Sequence, residues 1–242
     1  MAVPGAAIAA PAVGLTVKAG PVAGFPKTGN RAGAGASLLV EVVVSGTEYG
    51  GGPAPLTRLG LKLPAGIRWS TAALPRCSAG PGESLLGPHE WPPCQKSGLV
   101  VPNTSATARV QFGKELRPEI LSVISLDNPT GGTSLIVEGH TPVSAEWWGA
   151  GSVARRGGGE ELAWSFPLVE TVPQGLDSSL ERIALRLGSG VHTPRGAAFS
   201  LLMPAKCPRS GLRFALTAGF AAIGGLPAQT VSAGYTAPCP RR

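Results

Sequence analysis

The chain has 242 residues, 43% hydrophobic and 14% charged, with 35 Gly and 24 Pro. That is apolar enough for a sizeable core, and the charged fraction falls well below the ~25% of an average domain. Lys and Arg number 21 against 14 Asp and Glu, a net charge of +7; the densest basic clusters are only the pairs Arg155-Arg156 and Arg241-Arg242, so no basic stripe or reader motif points to nucleic acid as a partner.

The chain opens on an uncharged stretch, Ala2–Val17, broken by Pro4 and Pro11. It is too short and too broken to span a membrane. It reads as the back half of a secretory signal peptide, with Ala7-Ile8-Ala9 preceding a cleavage point before Ala10, although a basic n-region is missing. Residues 1–12 are therefore expected to be a signal remnant, with an apolar N-terminal strand as the alternative. Ala19–Ala36 is rich in Gly, Pro and Ala and reads as a loop.

Ser37–Ser45 is the clearest strand: Leu38, Val40, Val42 and Val44 share one face, and Leu39, Glu41, Val43 and Ser45 the other. After a Gly/Pro turn, Leu59–Leu63 puts Leu59, Leu61 and Leu63 inward and Lys62 outward. Ile67–Ser70 extends the sheet. Thr71–Gly98 is long and irregular and holds Cys77 and Cys94. A loop of this length calls for a function or a cross-link.

Short strands follow at Leu99–Val101, Ala106–Phe112 and Glu119–Leu126. Asp127–Gly132 has Asx, Pro and Gly turn chemistry, so Glu119–Leu126 pairs with Ser134–Glu138 as a hairpin. Pro142–Trp148 is another strand, and Gly149–Gly159 reads as a flexible Gly/Arg loop. Glu161–Leu168 alternates, with Leu162, Trp164 and Phe166 together. Asp177–Leu187 fits either a helical stripe or a strand with Arg182 and Arg186 outside; the strand agrees with its neighbours. Ala198–Met203 is a strand. The closing segment reads as a hairpin of Gly211–Ala218 and Gln229–Thr236, with Leu212, Phe214 and Leu216 facing one way and Val231, Ala233 and Tyr235 on the partner's apolar side.

The sum is an all-β protein: an antiparallel, β-sandwich-like fold of about a dozen short strands. Residues 13–242 form the domain, and an internal boundary, if present, falls near 103–116 or 149–159. Four cysteines without a C-x-x-C allow three pairings. Sequential pairing, Cys77–Cys94 and Cys207–Cys239, closes two local loops, each staple contributing ~3 kcal/mol in the loop-entropy model. Disulfides imply an oxidising compartment.

The ending Lys206-Cys207-Pro208-Arg209-Ser210-Gly211, with Phe214, Thr230-Val231-Ser232 and Tyr235-Thr236-Ala237-Pro238-Cys239-Pro240, resembles the C-terminus of a group of secreted proteins encoded in high-GC actinobacterial genomes. Leu61-Lys62-Leu63-Pro64-Ala65-Gly66 and Leu74-Pro75-Arg76-Cys77 are similar to their N-terminal half. The resemblance covers about half the chain as scattered motifs. It implies secretion and carries no activity to transfer.

Catalytic chemistry is sparse. The histidines are His89, His140 and His192, the aspartates Asp127 and Asp177, and no G-x-S-x-G or phosphate loop occurs. The histidines read as loop residues without partners. Cys77, His89, Glu90 and Cys94 match no zinc spacing. No cofactor, metal or catalysis is expected. The suggestive residues are Trp147 and Trp148, whose adjacency on a strand sends their rings to opposite faces. If one is exposed, it suits a sugar ring; if both are buried, one stacks on Arg155 or Arg156. The expected role is a secreted or cell-surface structural or interaction protein. A carbohydrate- or cell-wall-binding module is the alternative, and a hydrolase the third choice. Cell-wall glycan or another surface protein are the candidate partners, and no membrane span is expected.

Overall fold

The computed structural model describes residues 10–25, 34–70, 101–109, 115–116, 119–127, 133–140, 146–169, 177–194, 196–204 and 206–239, and between 101 and 148 it describes the backbone alone. Among these residues every regular element is a strand. They are β1 (Ala12–Gly20), β2 (Ser37–Ser45), β3 (Leu56–Lys62), β4 (Arg68–Trp69), β5 (Val101–Arg109), β6 (Glu115–Leu116), β7 (Glu119–Asp127), β8 (Thr133–His140), β9 (Glu146–Arg156), β10 (Gly159–Ser165), β11 (Ser179–Leu187), β12 (Gly190–Thr193), β13 (Gly196–Phe199), β14 (Leu201–Leu202), β15 (Leu212–Phe220) and β16 (Gln229–Ala237).

Twelve of them make one sheet in the order β1-β2-β11-β5-β7-β8-β9-β10-β3-β15-β16, with β6 added beside β5. Two small ribbons, β12-β13 and β14-β4, lie outside it. Each neighbouring pair along the path is antiparallel. The sheet folds back on itself, so that its last strand, β16, lies along its first, β1. The all-β, antiparallel, sandwich-like expectation holds.

Period-two alternation explains which face turns inward. On β2, Leu38, Val40, Val42 and Val44 are buried, and on β15 Leu212, Phe214, Leu216, Ala218 and Phe220 are buried while Arg213, Ala215 and Thr217 are exposed. One core joins β1, β2 and β11 to β3, β10, β15 and β16. Each fully buried Leu or Phe in it contributes roughly 1.5–3 kcal/mol of transfer free energy. Outward positions on β3, β15 and β16 are polar and exposed: Arg58, Lys62, Arg213, Thr217, Thr230, Ser232 and Thr236. No helix of the described residues is long and apolar enough to cross a membrane.

Several expectations change. Ala12–Gly20 is a strand, paired with β2 from Ala12↔Ser45 to Gly20↔Ser37. The later part of the apolar opening is therefore sheet, and Leu15 and Val17 enter the core; residues 1–9 lie outside the described residues. The expected strands Leu99–Val101 and Ala106–Phe112 contribute to a single strand, β5. The register of β5 against β7 slips between Val101 and Thr104, and Pro102 sits in that irregularity, where a missing N–H is tolerated. Residues 99–100 and 110–112 lie outside the described residues.

The flexible loop expected at Gly149–Gly159 is instead the second half of β9 and a tight turn into β10. Gly157 and Gly158 take φ of 55° and 79°, as a type I′ hairpin requires. Gly151 is a packing device: a Cβ there would sit 2.6 Å from both the Ala163 carbonyl oxygen and Cδ1 of Trp164. Of the two candidate boundary regions, β5 and β6 occupy 103–109 and 115–116, and β9 and its turn occupy 149–158; residues 110–114 lie outside the described residues.

Within Asp177–Leu187, Ser179–Leu187 is strand, with Ile183, Leu185 and Leu187 buried. Ala198–Met203 splits at Ser200, whose Oγ accepts a hydrogen bond from the Ser189 N–H at 2.8 Å while its own N–H donates to the Ser189 carbonyl at 3.0 Å. The segment after Gly188 forms the β12-β13 ribbon. There His192 stacks on Phe25 at 4.5 Å, and Phe199 meets Phe25 edge-on at 5.1 Å.

Candidate functional site

The closing hairpin forms in the register its alternation demands, from Leu212↔Ala237 to Phe220↔Gln229. Cys207 and Cys239 are bonded across its open end, with Cα atoms 6.0 Å apart. This linkage places the Pro208–Gly211 turn beside the end of β16. The Gly211 N–H closes that turn by donating to the Pro208 carbonyl at 2.9 Å.

Opposite lies the turn after β3. The Leu63 N–H donates to the Glu160 carbonyl at 2.8 Å, and the Ile67 N–H to the Pro64 carbonyl at 3.1 Å. Between the two turns runs a groove of about 570 Å³, lined by residues that include Lys62, Pro64, Pro208, Ser210, Arg213 and Thr236. Its floor is the outward face of β3, β15 and β16, where Lys62 is opposite Ala215 and Arg213 is opposite Thr236. Lys62, Ser210, Arg213 and Thr236 are all exposed. Two cations and two hydroxyls thus share one concave surface with proline walls.

The carboxylates of the neighbouring strand are engaged elsewhere. Glu161, across from Lys62, carries its carboxylate to Arg156 at 3.4 Å. Glu160 accepts a hydrogen bond from the Trp69 backbone N–H through Oε2. Lys62 extends along the β9–β10 turn, its Nζ 3.5 Å from where a Cβ on Gly157 would stand. It forms the rim of the groove, and Arg213 stands over the floor. Among the described residues neither cation has a carboxylate partner.

Trp147 and Trp148 are consecutive on β9, in register with Gly139 and Glu138 of β8; their side chains lie outside the described residues. Cys77 and Cys94, and with them the first expected disulfide, lie outside as well, as do His89, Glu90 and the side chains of Asp127 and His140. The expected stacking of an arginine on one of the tryptophans cannot be placed, but Arg156 pairs with Glu161. His192 is not in a plain loop but on β12, against Phe25. Among the described residues no three His, Cys, Asp or Glu side chains gather to hold a metal.

The groove was not visible in the sequence. Lys62 reads as outward from its own strand, and Arg213 alternates with Leu212 and Phe214, so each cation's exposure was legible. Their proximity depends on β3 pairing with β15, strands separated by most of the chain. No local signal encodes that.

The fold and site define a class: an antiparallel all-β protein whose final hairpin is closed by a disulfide and flanked by a basic groove. Comparison with protein-family models, curated proteins and solved structures gave no match.

Proposed function

We propose that the chain is a secreted or cell-surface interaction protein that works by binding rather than by catalysis. The observation that carries this reading is the Cys207–Cys239 bond. A bond of this kind persists in oxidising compartments and is rare in the cytosol, where thiols are kept reduced. The resemblance of the 206–240 segment to secreted actinobacterial proteins points the same way. So does a body spent on a rigid sheet, with His192 occupied in an aromatic stack.

The test is fractionation of cells producing the chain from its own gene. The reading expects the protein in the medium or the envelope fraction. Recovery in the cytosol alone would refute it.

The more specific reading is a carbohydrate- or cell-wall-binding module using Trp147 or Trp148. What favours it is position: both belong to β9, a strand whose residues Ala150 and Ser152 are exposed. Trp148→Ala and Trp147→Ala variants in a cell-wall pull-down test it. Retention by both at the level of the parent protein removes the tryptophans from the reading.

A further inference from the structure

We infer that the groove between the Pro64–Ile67 and Pro208–Gly211 turns is a binding site for an acidic glycopolymer, a hydroxyl-rich chain carrying carboxylate or phosphodiester groups. The inference rests on the extracytoplasmic reading only for where such a ligand would be met. The binding itself follows from the groove.

The first argument is charge. Lys62 and Arg213 lie on the same outward face, on neighbouring strands and one row apart. Sheet spacings put their Cα atoms about 8 Å apart. With the Lys62 Nζ by the β9–β10 turn and Arg213 on the β15 side, the two cations are spaced to meet successive anionic groups of one chain. The carboxylates that would neutralise them are held away, Glu161 by Arg156 and Glu160 by the Trp69 backbone. Arg209 and Lys206, both exposed, sit in and beside the turn that forms one wall, and the whole chain carries +7. A concave surface of one sign concentrates ligands of the other.

The second argument is preorganisation. One wall is tied to the end of β16 by a covalent bond and closed by the Gly211–Pro208 hydrogen bond. The other is anchored to β10 through the Leu63–Glu160 bond. Walls already ordered lose little entropy when a ligand arrives.

The third argument selects the ligand's scaffold. Ser210 and Thr236 supply hydroxyls inside the groove. From Thr236 the exposed side of β16 continues through Gly234 and Ser232 to Thr230, and Thr217 adds a further hydroxyl on β15. This is a low, hydroxyl-bearing track leading out of a cationic groove. It suits a polyol chain that hydrogen-bonds along its length and carries periodic negative charge. An acidic peptide would more naturally use a sheet edge or an apolar side-chain pocket, and the groove is neither.

The experiment uses the purified, disulfide-intact protein and three polymers: polygalacturonate, poly(glycerol phosphate) and neutral dextran. Binding is measured by calorimetry at low and moderate salt. The inference expects one or both polyanions to bind, with affinity falling as salt rises, and dextran not to bind. Polygalacturonate alone identifies carboxylate as the recognised group, and poly(glycerol phosphate) alone identifies the phosphodiester. Lys62→Ala or Arg213→Ala should each weaken binding about fivefold or more, the scale of a lost charge-assisted contact. Lys18→Ala removes the same charge from β1 and should change affinity by less than about twofold, since it leaves only the screened long-range field altered. Because all three side chains are exposed, the variants retain the fold.

Equal losses in all three variants would show attraction to net charge alone and overturn the site. So would an absence of polyanion binding, or binding that ignores both groove variants. Any of these would leave the fractionation test of the extracytoplasmic reading untouched.

Discussion

Phe214 is the largest fully buried side chain of the closing hairpin. It belongs to a strand whose alternation is uninterrupted from Leu212 to Phe220. Phe214→Ala removes a ring from a site with no exposure and should cost about 3–5 kcal/mol, part transfer and part cavity. Urea denaturation measures it; a loss below about 1 kcal/mol would mean that the ring is not in the core. Residues of this kind were legible, because an apolar side chain in a strict period-two pattern has one reasonable destination. Leu38, Val42, Leu61, Leu162 and Leu185 are further cases. Gly151 was not legible. Its meaning depends on the indole of Trp164, which reaches over it from the next strand. Read alone, a glycine among glycines and arginines looks like a flexible segment.

At the level of elements, hairpins with turn signals were the most readable. β15-β16 and β7-β8 each combine short sequence separation with alternating strands, and each formed. The β15-β16 unit carries its own staple, so its contribution can be isolated. Paired Cys207→Ser and Cys239→Ser substitutions should lower stability by about 2–4 kcal/mol, mostly by freeing the unfolded chain. Chemical denaturation of the oxidised parent and the double variant gives the difference, and equal stability would show that the hairpin needs no closure. β9 provides a second test, because the sequence suggested a loop there. Amide hydrogen exchange should be slow from Ala150 to Ser152, where β9 is paired with both β8 and β10. Exchange there as fast as in an open loop would contradict the strand. The division at Ser200 was not legible, and the strand at Ala12–Gly20 was legible only as an alternative, for a shared reason. Each depends on a distant partner, Ser189 or the whole of β2, and not on the composition of the segment itself.

For the whole molecule, fold class was readable and topology was not. Many short apolar runs punctuated by Gly and Pro leave little but an antiparallel all-β body. The strand order places β11 between β2 and β5, and β3 between β10 and β15, and these insertions bring together residues far apart in the chain. Lys62 and Arg213 meet through one of them, which is why the basic groove emerges only from the folded sheet. The most direct measurement of the central claim is thiol trapping followed by peptide mass spectrometry on the protein recovered from its own cells. The account predicts that Cys207 and Cys239 are found as one linked peptide pair in protein that has left the cytoplasm. Alkylated, unlinked Cys207 and Cys239 in protein confined to the cytoplasm would contradict it.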